Sequence, residues 1–252
     1  MDSRRLFWLL VVWLSMLLGI SVESRAATHT PLEVAGDVAQ PIGLRMQLFY
    51  DPSGRMPLAE VAAADAAGRF SPAKVDIPSF GHLAGATWVR FDLHNPGAQQ
   101  ERRWLHANWP LQESYTLFLV RPGGAVQVMR NGGEVPIAER PLASRHVLFP
   151  VELDSGESMR VYLRESGRAG MVLDLSLWPP ARLLDALGMR TLTRSLGMGV
   201  TLIVAVFAFF AWRTHRRFGL LYIAPAQIFL IFFLIGYEGF LLDFLPSGSS
   251  MA

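Results

Sequence analysis

Across residues 28–180, apolar residues recur at every second position in short runs broken by Gly, Pro, Asn and Asp. The clearest run is Ala86 to Pro96. Val89, Phe91 and Leu93 alternate there with Trp88, Arg90, Asp92 and His94. A period of two puts three apolar side chains on one face of a strand and a polar, mixed set on the other. Asn95, Pro96 and Gly97 then stop the strand, because proline lacks the donor that a ladder needs and the trio favours a turn. The same alternation predicts strands over Gly43–Asp51 (Leu44, Met46, Leu48, Tyr50), Arg103–Ala107, Ser114–Val120, Ala125–Met129, His146–Leu153, Met159–Arg164 and Met171–Trp178. One segment breaks the rhythm. Pro57–Ala67 is alanine-rich, opens on a proline suited to a first turn and ends before Gly68, so it predicts a short helix. Seven or eight short strands with turn signals between them predict a mainly β, jelly-roll-like sandwich over 28–180.

The period changes after Pro180. Residues 181–194 predict a juxtamembrane helix. Residues 195–212 and 218–237 are two uncharged runs, each near 30 Å long as a helix at about 1.5 Å per residue, enough to span a bilayer. Between them, residues 213–217 carry Arg213, Arg216 and Arg217, which places this loop in the cytoplasm. At the other end, Arg4 and Arg5 precede an apolar run from Leu6 to Ile20, and Ser24-Arg25-Ala26 offers a cleavage site. Residues 1–26 therefore predict a signal peptide, with an uncleaved anchor as the rival reading. The sandwich is exported in either case, and residues 238–252 form a periplasmic tail.

Composition refines this layout. Of the 252 residues, 51% are hydrophobic, too many for a wholly soluble domain. There is no cysteine, so disulfide and thiolate chemistry are excluded. The net charge of +2 divides by region: residues 27–189 hold 15 Lys/Arg and 17 Asp/Glu, a net of −2, and the remaining basic residues flank the apolar segments. The basic character is thus a topology signal, and no basic patch points to nucleic acid.

The order of parts resembles the bacterial seven-transmembrane receptors with diverse intracellular signalling modules. The resemblance lies in Phe49-Tyr50-Asp51-Pro52-Ser53-Gly54, Ser79-Phe80-Gly81, Trp88 to Pro96, Tyr115 to Leu119, Gly132-Gly133 with Pro136 and Arg140, Phe149 to Leu153, Val161 to Arg164, and Phe218 to Tyr222. It implies a periplasmic sensor of the second type, anchored in the inner membrane. Such a sensor binds a small molecule, a carbohydrate included, and passes the signal to a histidine kinase or diguanylate cyclase; the arrangement allows a homodimer. Two of seven helices and no output module are present, which predicts a piece of a longer receptor. The alternative is a carbohydrate-binding or carbohydrate-active envelope protein that uses its helices as an anchor.

Candidate chemistry centres on the polar face of the 86–94 strand. Trp88, Arg90, Asp92 and His94, with Asn95 and Trp104 nearby, are the group types that hold a polar, ring-bearing or anionic ligand. The competing reading makes Arg90 a structural ion paired with Asp92, Glu101 or a loop carbonyl, and makes Trp88, Trp104 and Trp109 core residues in place of a stacking platform. Asp92, His94 and His106 would form a metal site only if their strands were neighbours. No nucleophile elbow, phosphate loop or zincin helix occurs. The expectation is a protein without catalytic residues, cofactor or metal.

Overall fold

The computed structural model describes residues 30–108, 113–167, 170–215 and 218–237. The signal segment, Trp109, Arg216, Arg217 and the tail lie outside these residues. The elements in chain order are β1 (Leu32–Glu33), β2 (Gln40–Pro41), β3 (Gln47–Asp51), α1 (Leu58–Ala66), β4 (Ser71–Pro72), β5 (Ser79–Gly81), β6 (Ala86–His94) and β7 (Glu101–Ala107). There follow β8 (Ser114–Val120), β9 (Val126–Asn131), β10 (Val147–Leu153), β11 (Ser158–Ser166), β12 (Met171–Val172), β13 (Leu175–Trp178), α2 (Pro180–His215) and α3 (Phe218–Tyr237).

Two sheets face each other. The larger runs β4-β3-β6-β11-β8-β9 through antiparallel pairs, with β1 lying parallel to the end of β6. The smaller runs β10-β7-β13-β2. Val89, Phe91 and Leu93 of β6 are buried between the sheets, as their alternation predicts. They meet Leu117 and Leu119 of β8 and Val161 and Leu163 of β11 on their own sheet. Leu105 of β7, Phe149 and Val151 of β10, and Leu175 and Leu177 of β13 close the core from the other sheet. Each such side chain withdrawn from water contributes roughly 1.5–3 kcal/mol, which is how a chain without cysteine forms a stable sandwich.

A second apolar layer lies outside the larger sheet. Val61 and Ala64 of α1 pack with Phe49, Phe70, Trp88 and Tyr162. Pro57 caps the helix start, and Gly68, at φ +68°, ends it: its N–H donates to Asp65 O, while the Arg69 N–H donates to Ala64 O. That pair of bonds is the Schellman closure, which favours glycine at the left-handed position. Gly85 is the stricter case, since a Cβ there would lie 2.3 Å from Asp51 O at the mouth of the β3–β6 pair.

Three expected elements differ. The strand predicted over Gly43–Asp51 opens as a 3-10 turn, Gly43–Arg45, because Gly43 takes φ +47°. The strand predicted over Met171–Trp178 is two strands. Val172 pairs with Ser79 of β5, the Leu173 N–H donates to Pro78 O, and the chain then crosses to the smaller sheet. Its alternation still holds, with Met171, Leu173, Leu175 and Leu177 all buried. The segments 181–194 and 195–212 form one helix of 36 residues, α2.

Among the described residues, one helix is long and apolar enough to cross a membrane, Pro180–Thr214. α3 packs against it, holds a shorter apolar stretch, Pro225–Gly236, and contains Pro225.

Candidate functional site

α1 covers the polar face of β6. Trp88 is buried, and its ring stacks on Phe118 of β8 at 5.5 Å. Arg90 is 8% exposed. One terminal nitrogen of Arg90 lies 2.8 Å from Asp92 Oδ2, and its Nε lies 3.4 Å from Asp65 Oδ2 of α1, an ion pair without hydrogen-bond geometry. Arg160 of β11, opposite Asp92 in the ladder, closes the network. Its Nε is 2.8 Å from Asp92 Oδ1, and one terminal nitrogen is 3.2 Å from Asp65 Oδ2. The Tyr162 hydroxyl donates to the same Asp65 oxygen at 2.7 Å. Two arginines and two aspartates thus balance beneath one helix turn. The Asp92 hydrogen bond holds the Arg160 guanidinium above its ordinary pKa. Burial, followed by Asp65, pushes the Tyr162 phenol up to about 12.

Of the pairings considered for Arg90, the structure realises the one with Asp92. Asp65 and Arg160, which the alternation of β6 does not point to, complete the network. A signal for Asp65 existed: Val61, Ala64 and Asp65 follow the helical spacing of one face, so the carboxylate points the same way as the buried pair. Arg160 follows only from the β6–β11 register.

The other expected site residues are dispersed. His94 Nδ1 lies 2.9 Å from Ser158 Oγ. Asn95 is fully buried and ties a loop: its amide donates to Gln99 O at 2.8 Å and Asp154 O at 2.9 Å, and its oxygen accepts from the Gly97 N–H. Trp104 lies on the outer face of the smaller sheet, opposite Trp178 in the β7–β13 register, and therefore on the far side of the sandwich from Trp88. His106 shares that far face, away from Asp92 and His94. Among the described residues, no three His, Asp or Glu groups converge to hold a metal ion.

That far face is where α2 docks. Leu183 is buried, and Ala186, Leu187, Arg190 and Thr191 continue the same helical stripe. Arg190 donates to Asn108 Oδ1 at 2.9 Å, Arg145 donates to Thr191 Oγ1 at 3.2 Å, and Arg182 pairs with Asp37 at 2.7 Å. His106 lies under this junction, 3% exposed, with the His146 ring 6.0 Å away. Burial, and after it the neighbouring His146 and Arg190, hold the His106 pKa down to about 3, so the ring is neutral. The first three turns of α2 are thus fixed to the sandwich, and the apolar remainder extends past it.

Glu165 of β11 is the other perturbed group. It is wholly buried at one end of the core, with the Tyr115 hydroxyl 3.3 Å from Oε1 and no partner for Oε2 among the described residues. Burial raises its pKa to about 8.

A family model, the 7TMR-DISM extracellular 2 domain, matches residues 43–179. No curated protein sequence matches the chain. Solved structures with partial likeness include an exo-β-1,3-galactanase from Phanerochaete chrysosporium with galactose, at 13% identity and a TM-score of 0.25 over 57% of this chain and 30% of that one. Another is TmCBM61 in complex with β-1,4-galactotriose, at 10% identity and a TM-score of 0.24 over 58% of this chain and 90% of that one. The chain spans less than a third of the galactanase.

Proposed function

Because the chain belongs to the 7TMR-DISM extracellular 2 family, we propose that it is the membrane-anchored sensor part of a bacterial signalling receptor. The sandwich faces the periplasm, and the Arg213 end of α2 reaches the cytoplasm, following the preference of arginine-rich loops for that side. A small molecule bound by the sandwich changes how α2 sits on the smaller sheet. The helix transmits that change to a cytoplasmic histidine kinase or diguanylate cyclase. The sandwich itself acts as a non-enzymatic input module.

One observation carries this reading. β13 passes through Pro179 directly into a 36-residue helix whose first turns dock on the sheet and whose remainder is membrane-compatible. At about 1.5 Å per residue the helix is about 54 Å long, enough for both a docked portion and a span. A passive tether needs neither the docked stripe nor an unbroken helix. Coupling of this kind requires a difference in affinity of only about 1–3 kcal/mol between two helix arrangements.

The test is a chimaera joining residues 1–215 to the cytoplasmic half of a reporter histidine kinase, with one to four alanines inserted after Arg194. Each alanine rotates the distal helix by about 100°, so kinase output should oscillate with the number inserted. A flat response would make α2 a simple anchor and favour the envelope-protein alternative.

A further inference from the structure

A cleft of about 490 Å³ opens at the β3–β4 edge of the larger sheet, beside the end of α1. Its volume is that of a small-molecule site. Phe49, Tyr50 and Phe80 line it, and Tyr50 and Phe80 are 42% and 37% exposed. Two cations stand at it. Arg69 lies over the Phe49 ring at 5.0 Å, and Lys74 is exposed, with no carboxylate partner among the described residues. No acidic residue lines the cleft among the described residues. Thr87, 3% exposed, contributes a buried hydroxyl that has no partner among those residues.

Aromatic walls and two cations form a specific combination. A sugar is gripped through many hydroxyls by carboxylates and amides, and this lining has neither. A flat apolar body would stack on Tyr50 and Phe80, and an acidic group on that body would meet Lys74 and Arg69. We infer that this cleft binds a small organic anion, an aromatic or similarly flat carboxylate.

The cleft also has a route to α2. Its wall at Pro78, Ser79 and Phe80 is hydrogen-bonded to the chain that feeds the helix: Ser79 pairs with Val172, and Pro78 O accepts from the Leu173 N–H at 2.9 Å. After Asp174 that chain becomes β13 and then α2. A ligand drawing Phe80 inward pulls on the strand that enters the membrane helix. This assignment rests on the sensor reading for its meaning, while binding in the cleft is tested independently of it.

The absence of cysteine makes the test clean. A single cysteine is placed in the cleft by Ser79→Cys, or on exposed β9 by Gln127→Cys, in the full chain purified in detergent. Alkylation by N-ethylmaleimide is timed with 2-naphthoate or its neutral analogue 2-naphthamide. Naphthoate should slow alkylation of Ser79→Cys saturably and leave Gln127→Cys unchanged, and naphthamide should protect far less. Adding Lys74→Glu should weaken the protection at least about tenfold, because an attractive charge becomes a repulsive one. Arg69→Gln should weaken it as well. Absent protection, equal protection by acid and amide, or protection that survives Lys74→Glu would overturn the assignment. The alanine-insertion result on α2 would stand unaffected.

Discussion

Replacing Arg90 by lysine keeps the charge but removes the planar fork that reaches Asp92 and Asp65 at once. Hydrogen bonds to charged partners contribute about 1.5–3 kcal/mol each, and Arg160 still neutralises both carboxylates. Arg90→Lys should therefore cost about 2 kcal/mol, read as a fall in Tm of roughly 4–8 °C. A Tm within about 1 °C of wild type would mean that the fork is not structural and is free to meet a ligand. Glu165 gives a pH signature. Burial raises its pKa in the folded state to about 8, above its ordinary value of 4.5, so the folded state binds its proton more tightly than the unfolded chain. The stability this provides is fully present below pH 4.5 and is lost as the pH rises towards 8. Glu165→Gln cannot titrate, so its Tm should exceed that of wild type increasingly across that window. Parallel Tm–pH curves for the two proteins would refute the assignment. At this scale the sequence exposed the apolar half of β6 and concealed the polar half. Alternation shows which way Arg90 points but not what lies there, because Asp65 and Arg160 arrive from elements 25 residues before it and 70 after it in the chain.

Among the elements, those with a long enough period were legible. β6, β8, β10 and β11 each carry three or more alternating apolar residues, and α1 carries its own boundary signals in Pro57 and Gly68. β1, β2, β4 and β5 are two or three residues long and have no period to read. The break between β12 and β13 was hidden for another reason: both strands bury the same parity of residues, so changing sheets leaves the alternation intact. The placement of α1 over β6 could not be read either. A helix with apolar residues at Val61 and Ala64 must cover something, but the choice between the two outer faces depends on the register of β3 and on Phe70. That choice settles the candidate site, because α1 turns the polar face of β6 into a buried ion network and leaves the β3–β4 edge open.

At the scale of the molecule, the sandwich has two unlike outer faces. One carries α1. The other carries the start of α2, held to loops flanking the smaller sheet through Arg182, Arg190 and Thr191. The cleft at the sheet edge joins the second face through β5 and β12. The proposed sensor role places the sandwich outside the membrane and the far end of α2 inside. The same cysteine-free chain measures that directly. Gln127→Cys marks the sandwich, and Thr214→Cys marks the end of α2. Each is expressed in cells with a permeabilised outer membrane and treated with a membrane-impermeant maleimide. The account predicts labelling of Gln127→Cys in intact cells and of Thr214→Cys only after lysis. Labelling of Thr214→Cys before lysis, or of Gln127→Cys only after it, would contradict the account.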